Sequence, residues 1–273
     1  MNTVISKDGT RIAYEQLGSG PPVVLVDGAF CGRTFGPMPA LAKLLAPHFT
    51  VFHYDRRGRG GSSDTPPYAL ERELEDLAAI FAAATAVSPR EKAYLYGISS
   101  GAALAMRGAA SGLAVEKFVL YEPPFALDGT RVPNPPDFRA QIAGFLAQGD
   151  RDSAVKLFMK VVGVPAFGIF MMRLMPNVWP KLRAVAHTLP YDFAALGETQ
   201  SGGPLPGELE SALGKISAPT LALVGGKSPP WMRHAVERVA QSIAVAKTDV
   251  VPGQDHNIGA AAIAPRLIAF FSA

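Results

Sequence analysis

Residues 92–110 read KAYLYGISSGAALAMRGAA, in which a strand pattern runs directly into a helix pattern. Residues 92–96 favour a buried strand, and the alanine-rich residues 100–110 favour a helix. The junction between them, GISSG at 97–101, matches the pattern G-x-S-x-G. Between a strand and a helix, that pattern holds a serine hydroxyl exposed on a strained turn, where larger neighbours than glycine would collide with the backbone. We therefore predict that Ser99 is a nucleophile.

Strand and helix patterns alternate on both sides of this stretch. The sequence predicts further strands at 10–17, 22–26, 50–54, 115–121, 219–224 and 246–251, and further helices at 37–46, 70–86, 230–242 and 258–271. The helix at 70–86 is amphipathic, and we expect Glu75 and Asp76 on its water-facing side. Such alternation is typical of a mainly parallel sheet that helices cover on both faces.

The alternation stops between residues 123 and 206, a segment that we call the helical insertion. Prolines are frequent there, no strand pattern appears, and residues 141–147 and 153–162 have helical periodicity. A chain of 273 residues suits one large core rather than two ordinary domains. We therefore predict one sheet domain, formed by residues 1–122 and 207–273, with the helical insertion as a cap between its two parts.

The overall composition is that of a globular protein, with 48% hydrophobic and 18% charged residues. The net charge is +3, but the basic residues are scattered and the run DRRGR at 55–59 is interpreted as a turn, which disfavours a nucleic-acid partner. A proline, two glycines and an arginine interrupt the apolar segment 161–175, so we expect no contact with a membrane. The single Cys31 permits no internal disulfide, and the first residues lack an apolar stretch of signal-peptide length. We therefore expect a cytoplasmic protein.

A serine hydroxyl needs a base to take its proton, and histidine titrates close enough to neutrality to act as one. Only His256 lies in the loop after the last predicted strand, from which it can reach over the sheet edge to Ser99. The other four histidines flank an early strand, lie in the helical insertion or fall within a helical pattern: His48, His53, His187 and His234. We predict that His256 is the base.

Five motifs in this order resemble the α/β-hydrolase superfamily over nearly the whole chain. They are VVLVDG at 23–28, YDRRGRG at 54–60, the turn that carries Ser99, PTLALVG at 219–225 and the loop of His256. The resemblance implies an α/β fold of the α/β-hydrolase type, with a mainly parallel eight-stranded sheet flanked by helices. It also implies a helical lid inserted after the sixth strand, and it assigns the catalytic roles to Ser99 and His256.

Two positions depart from that family's usual pattern. Many members carry His-Gly where this chain has Asp27-Gly28, and many place a catalytic aspartate in the loop that here reads GKSPP at 226–230. That loop contains no carboxylate. A histidine base still needs a partner that fixes its tautomer and stabilises the imidazolium.

Glu122 is the substitute that we predict for the missing aspartate, because it ends the strand next to that of Ser99 on the same edge of the sheet. An Asp-Gly loop, a Ser-Ser-Gly turn and a glutamate after the sixth strand are together similar to the zearalenone lactonases, whose triad is serine, histidine and glutamate. Asp255 and Asp27 stay open as rivals for this role. The alternative interpretation of Glu122 is that it caps a turn or pairs with an arginine.

The oxyanion that forms during attack on a carbonyl needs hydrogen-bond donors. We expect backbone N–H groups of Ser100 and of Gly28 or Ala29 to supply them. Neither a cluster of metal ligands nor a phosphate-binding loop is found, so we expect no metal and no cofactor. The side chains that we expect to contact the substrate are Phe30, Ile98, Pro124, Trp179 and Ile258.

The helical insertion contains an apolar set that either lines a substrate pocket or forms the core of the insertion itself: Phe145, Phe158, Met159, Phe167, Phe170, Met171, Met172, Met175 and Trp179. We interpret most of these residues as core. Cys31 is interpreted as a packing residue rather than a second nucleophile.

The predicted function is hydrolysis of a carboxylic ester or lactone, with a bulky hydrophobic small molecule as substrate and an acyl-enzyme intermediate. A C–C bond hydrolase, a lyase or a cyclase of secondary metabolism with the same triad is one alternative. A binding protein without catalysis is another, because the usual aspartate is missing near Ser228. Aspartate-nucleophile enzymes are disfavoured by the serine at position 99. The sequence is compatible with a monomer or a homodimer.

Overall fold

The computed structural model describes residues 1–89 and 91–273. Within them, eight strands form one sheet in the order β1-β2-β4-β3-β5-β6-β7-β8. The strands are β1 Asn2–Ile5, β2 Arg11–Leu17, β3 Pro22–Val26, β4 Thr50–Tyr54, β5 Ala93–Ile98, β6 Val115–Tyr121, β7 Thr220–Gly225 and β8 Ala246–Val251. β2 is antiparallel to both β1 and β4, and all other pairs are parallel. The predicted mainly parallel eight-stranded sheet is thus confirmed.

Eleven α-helices connect or extend these strands in the described part of the chain. They are α1 Met38–Leu45, α2 Leu70–Thr85, α3 Ser100–Ala110, α4 Phe138–Ala147, α5 Arg151–Val161, α6 Ala166–Leu174, α7 Trp179–Val185, α8 Leu189–Leu196, α9 Gly207–Leu213, α10 Pro230–Gln241 and α11 Ala260–Ser272. A 3-10 turn at Ala186–Thr188 joins α7 to α8. Of the helices described, none combines the length and the apolar character needed to cross a lipid bilayer.

The middle of the sheet is buried on both faces: strands β3, β4 and β5 are buried at every position, and β3 and β5 are almost wholly apolar. Side chains alternate between faces along a strand. Val24 and Val26 accordingly join one core cluster, with residues of α2 and α3. Val23 and Leu25 join the other, with residues of α1 and α11. Helices therefore flank the sheet on both sides, as predicted.

The helical insertion contains helices α4 to α8 and has a third apolar cluster of its own. That cluster includes Phe30, which belongs to the loop after β3. The insertion therefore packs against the loop at the carboxyl end of a central strand. Its assignment as a separate cap stays a prediction.

Three features of the fold were not predicted. Strand β1 has only four residues, lies mostly exposed at the sheet edge and includes just two apolar residues, Val4 and Ile5, which is too little for a strand pattern. Helices α6 to α9 are short and lie among prolines and glycines, which hide their periodicity. The prediction that Asp76 faces water was wrong: its side chain is fully buried, because Arg57 donates two hydrogen bonds to its carboxylate, at 2.6 and 2.7 Å.

Candidate active site

Ser99 occupies the turn between β5 and α3 with φ 57° and ψ −131°, a conformation that strains a residue other than glycine. The neighbouring glycines are required by close packing. A Cβ on Gly101 would lie 2.4 Å from the carbonyl oxygens of Val26 and Asp27, and one on Gly97 would lie 2.8 Å from Ala102 Cα. Only glycine at both positions therefore allows α3 to start this close to β3 and holds the serine hydroxyl out of the turn.

His256 and Glu122 complete a hydrogen-bonded line with Ser99. His256 Nε2 lies 3.1 Å from Ser99 Oγ, and His256 Nδ1 lies 2.9 Å from Glu122 Oε2. The three residues follow β5, β6 and β8, so their side chains meet at the carboxyl edge of the parallel sheet. This arrangement lets the imidazole accept the serine proton while a carboxylate faces its other nitrogen.

The Glu122 carboxylate is completely buried, and its other oxygen is held by the loop after β7. Oε1 accepts hydrogen bonds from the Gly225 N–H at 2.6 Å and from the Ser228 hydroxyl. The loop that lacks a carboxylate therefore provides donors that orient one. Glu122 also adopts a positive φ of 45°, so the backbone is strained at a second site residue.

The rival acids have other contacts. The Asp255 carboxylate accepts the N–H of Asn257 at 2.8 Å, and the Asp255 carbonyl accepts the Tyr121 hydroxyl at 2.6 Å. Asp27 Oδ1 accepts the Gly28 N–H at 2.9 Å. Neither carboxylate has a hydrogen bond to His256 among the described residues.

The other histidines lie elsewhere in the described structure. Burial lowers the pKa of His53 and of His187, and the His234 imidazole lies 3.0 Å from Asp128 at the surface. His48 lies exposed at the end of α1, beside Phe49. Only His256 is brought to Ser99, as the position of its loop predicts.

The loop after β3 lies against Ser99. A Cβ on Gly28 would lie 3.0 Å from Ser99 Cβ, which shows how closely the two segments approach. The Gly28 N–H is already bonded to Asp27, whereas the N–H of the next residue, Ala29, has no acceptor among the described residues. Ser100 begins α3, so its N–H has no acceptor in the preceding turn of that helix. Ala29 and Ser100 are thus the two candidate donors to an oxyanion.

Asp27 is a buried carboxyl at the base of this loop, only 3% exposed. Burial raises its pKa to about 7, although the Gly28 N–H and the Arg59 charge act in the opposite direction. Its Oδ2 has no hydrogen-bond partner in the described structure. The neighbouring Cys31 thiol also lines the cavity, and burial, with Asp27 beside it, raises its pKa well above the usual value. A protonated thiol is a weak nucleophile, in keeping with the packing role expected for Cys31.

A buried ionic network lies behind the candidate oxyanion donors. Arg59 donates to the Gly28 carbonyl at 2.7 Å and to Asp192 Oδ2 at 2.7 Å. Asp192 Oδ1 accepts from the Ser100 hydroxyl at 2.7 Å and from Arg56 at 2.6 Å. Burial alone would raise the pKa of Asp192, but the Arg59 and Arg56 charges outweigh it and lower that pKa. The basic run after β4 is thus a turn, as expected, but its arginines are buried.

A cavity of about 500 Å³ opens in front of Ser99 and His256. Four of the predicted substrate contacts line it: Phe30, Ile98, Pro124 and Ile258. The prediction for Trp179 was wrong. Its side chain is 5% exposed within the cluster of the helical insertion, where the indole N–H donates to Asp152 at 2.7 Å, and it does not line the cavity.

The apolar residues of the helical insertion divide into three groups rather than two. Phe158 and Met159 line the cavity, whereas Phe145, Met172 and Trp179 pack in or against the insertion's own cluster. The remaining residues are 44 to 74% exposed on or just after α6: Phe167, Phe170, Met171 and Met175. Periodicity cannot distinguish these groups, because all three share the same residue types.

Sequence reasoning missed several cavity residues, namely Phe138, Asp192, Phe193, Arg131, Trp231 and Met232. Trp231 and Met232 come directly after the loop at 226–230, where many α/β-hydrolases carry the catalytic aspartate. This position next to an expected site loop was the one sign that they line the cavity. Asp192 gives no such signal, because its partners lie more than 90 residues earlier in the chain.

Known proteins resemble this chain in sequence and in structure. An alpha/beta hydrolase from Sphaerobacter thermophilus DSM 20745 is 47% identical, with a TM-score of 0.89 over 99% of this chain and 100% of its own. The enol-lactonase from Burkholderia xenovorans LB400 is 20% identical, with a TM-score of 0.68 over 99% of this chain and 97% of its own, and this likeness concerns the fold alone. YraK, an uncharacterized hydrolase of Bacillus subtilis (strain 168), is 32% identical over 108 residues, and the chain spans only 38% of that relative's length. The sequence profile of the alpha/beta hydrolase family matches residues 23–269, and the chain therefore belongs to that family.

Proposed function

We propose that the protein is a serine hydrolase that cleaves a carboxylic ester or lactone of a bulky hydrophobic small molecule. The observation that carries this proposal is the line from Ser99 Oγ through the His256 imidazole to the buried Glu122 carboxylate, with its serine end in a cavity. A serine hydroxyl with a base at 3.1 Å and a carboxylate behind that base is the arrangement that acyl transfer requires.

In the first step, Ser99 Oγ attacks the substrate carbonyl while His256 Nε2 takes its proton. The imidazolium that forms is stabilised by the Glu122 carboxylate, whose second oxygen accepts hydrogen bonds from Gly225 and Ser228. The carbonyl oxygen becomes an oxyanion, which the N–H groups of Ala29 and Ser100 meet. Each such donor contributes roughly 3 kcal/mol to the stability of the transition state.

In the second half of the reaction, His256 gives its proton to the leaving alkoxide, which departs and leaves an ester between Ser99 and the acyl group. Water, activated by His256, then attacks that ester and releases a carboxylic acid. With a lactone, both halves act on one molecule and the product is an open-chain hydroxy acid. No step calls for a metal ion or an organic cofactor.

The walls of the cavity support a hydrophobic substrate. Phe30 and Ile98 belong to the sheet domain, and Phe138, Phe158 and Phe193 belong to the helical insertion. The substrate is thus enclosed between the two parts, and the helical insertion acts as a cap. Predominantly apolar walls with a few polar groups are typical of small-molecule sites.

The alternative of a binding protein without catalysis was favoured by the missing aspartate near Ser228. That argument loses its force, because Glu122 lies at hydrogen-bonding distance from His256 and Ser228 itself donates to Glu122. No observation on this chain favours a C–C bond hydrolase, a lyase or a cyclase over an esterase.

The proposal is tested with p-nitrophenyl esters of increasing acyl length and with an aromatic macrolactone, in the wild type and in Ser99→Ala. We expect turnover that rises with the size of the acyl group and a loss of at least ~10⁴-fold in kcat/KM in the variant. Ser201→Ala, at an exposed position of the helical insertion, is the control. Absence of turnover, together with no labelling of Ser99 by a fluorophosphonate, would refute the proposal.

A further inference from the structure

We propose that Arg59 and Asp192 are positioning residues for the oxyanion hole, and that through Asp192 the helical insertion sets the geometry of both oxyanion donors. The proposal rests on the proposed function, since it concerns the rate of attack by Ser99. It starts from two polar contacts of Arg59: one to the loop after β3 and one to helix α8.

The first contact fixes the donor from the loop. Arg59 Nη1 donates to the Gly28 carbonyl oxygen at 2.7 Å. That carbonyl and the N–H of Ala29 belong to one planar peptide group, so they point in opposite directions and turn together. A guanidinium that holds the oxygen therefore aims the N–H. Its positive charge also polarises the peptide group and strengthens the N–H as a donor.

The second contact fixes the donor from helix α3. Arg59 Nη2 donates to Asp192 Oδ2 at 2.7 Å, and Asp192 Oδ1 accepts the Ser100 hydroxyl at 2.7 Å. Ser100 is thus held by its hydroxyl, and the N–H of this same residue faces the oxyanion. A carboxylate from α8 thus holds the first residue of α3, and the same guanidinium connects both donors.

The network is almost completely buried and resists reorientation. Arg59 and Asp192 are each 1% exposed and Ser100 is 2% exposed. Arg56 provides a second cationic contact to Asp192 at 2.6 Å and is itself held by Glu73 at 2.9 Å. Dipoles fixed in this way need no reorganisation when the oxyanion forms, which is the condition for a large electrostatic contribution to the rate.

The neighbouring Arg57 provides a comparison for a purely structural role. It is also buried and ion-paired, but its partners are Asp76 and Asp8, and no contact joins it to Gly28, Ser100 or Asp192 in the described structure. Replacing Arg57 therefore removes a buried ion pair without changing the contacts of the oxyanion donors, although Arg57 is only two residues from Arg59.

The test compares Arg59→Lys and Asp192→Asn with Arg57→Lys. Lysine keeps the charge, but its single ammonium lacks the planar fork that reaches the Gly28 carbonyl and Asp192 together. We expect Arg59→Lys and Asp192→Asn each to lower kcat about 10- to 100-fold with KM changed less than about threefold, because the contact matters when the oxyanion forms. Arg57→Lys lowers the thermal midpoint but leaves kcat at the wild-type value.

A second measurement separates positioning from a general loosening of the site. A trifluoromethyl ketone that adds to Ser99 presents an oxyanion, and its affinity should fall by the same factor as kcat/KM in Arg59→Lys and Asp192→Asn. A non-hydrolysable ether analogue of the substrate has no such oxyanion, and its Kd should stay within about twofold. Ser100→Ala keeps the N–H and removes the tether, so we expect a smaller loss of kcat, about three- to tenfold.

Wild-type kcat and ketone affinity in Arg59→Lys would overturn the proposal, as would an equal loss of ketone and ether affinity. Should that variant not fold, wild-type kcat in Ser100→Ala would overturn it instead. Turnover that survives Ser99→Ala would refute the proposed function and this proposal with it. Turnover that depends on Ser99 but not on Arg59, Asp192 or Ser100 would refute the positioning proposal alone.

Discussion

The two sides of Ser99 are built from different parts of the chain. On the side of the base, His256 and Glu122 lie in loops at the sheet edge, and the His256 side chain is 35% exposed. On the side of the oxyanion donors, Ser100 is 2% exposed, and its hydroxyl is bound by Asp192 of the helical insertion. We call these the base side and the oxyanion side.

The difference follows from what each side has to do. In the proposed reaction the base exchanges a proton with substrate and with water, so partial exposure is useful there. The oxyanion donors are effective as fixed dipoles from which water is excluded. Excluding water from Arg59 and Asp192 costs desolvation free energy, which their mutual contacts offset.

Apart from the loss of Ser99 itself, the largest effect is expected on the base side, from Glu122→Gln. A neutral amide keeps the size of the side chain but no longer fixes the tautomer of His256 or stabilises the imidazolium. We expect kcat to fall by about 10³- to 10⁴-fold, equivalent to ~4 to 5.5 kcal/mol. Steady-state kinetics with a p-nitrophenyl ester measures this. Glu198→Gln, at an exposed glutamate, is the control. Full activity in Glu122→Gln would show that Glu122 is not the acid of the triad and would leave Asp27 or Asp255 for that role.

A somewhat smaller effect, on stability, is expected on the oxyanion side from Asp27→Asn. The folded pKa of Asp27 is about 7 and its ordinary value is 3.8, so between these two values the folded state holds a proton that the unfolded state has lost. The wild type therefore loses stability as the pH rises from about 4 to about 7, and asparagine does not titrate.

The variant should accordingly gain stability relative to the wild type over that range, by as much as ~4 kcal/mol at pH 8. Urea unfolding at pH 4, 6 and 8 measures the gain, and the data at pH 4 provide the internal reference. A difference between variant and wild type that does not change with pH would show that Asp27 does not titrate in this range.

A third effect returns to the base side. Ser228→Ala removes the hydroxyl that donates to Glu122 Oε1 and leaves the Gly225 N–H in place. One hydrogen bond to a buried carboxylate is worth ~1.5 to 3 kcal/mol, so we expect kcat to fall about tenfold and the free energy of unfolding to decrease. An unchanged kcat would mean that Gly225 alone orients the acid.

The smallest effect is expected inside the helical insertion, from Trp179→Phe. The indole N–H donates to Asp152 away from the cavity, so the variant loses one hydrogen bond, ~0.5 to 1.5 kcal/mol of stability. KM for a long-chain ester should stay within about twofold of the wild-type value. A large rise in KM would show that Trp179 contacts the substrate after all. The helical insertion would then contribute more to the site than Asp192 and the cavity wall.

The base side was largely predictable from the sequence. Strand ends of a parallel sheet share one edge, so the order of Ser99, Glu122 and His256 along the chain was enough to bring the three together. The contribution of Ser228 was not predicted, because a serine in a loop gives no sign that its hydroxyl donates to a carboxylate at the end of another strand.

The oxyanion side was predictable only in its backbone. The Asp192 contact joins α8 to residues 92 and 136 positions earlier, and no local pattern reports so distant a pairing. The same reason explains the wrong placement of Asp76 in water. A charged residue in an amphipathic helix is assigned to the surface unless its partner, here Arg57, is known. The prediction for Trp179 was wrong for a different reason: apolar periodicity identifies a buried side chain but not the space that it faces.

The position of Asp192 on α8 governs how the helical insertion can be exchanged between related chains. A graft that replaces residues 133–185 keeps α8, whereas one that replaces residues 123–206 removes Asp192 and leaves Arg56 and Arg59 buried with one counter-ion fewer. The first chimaera alters the cavity wall at α4 and α5 and keeps the contacts behind Ser100. Whether the recipient keeps its kcat therefore depends more on where the graft begins and ends than on which protein supplies the helices.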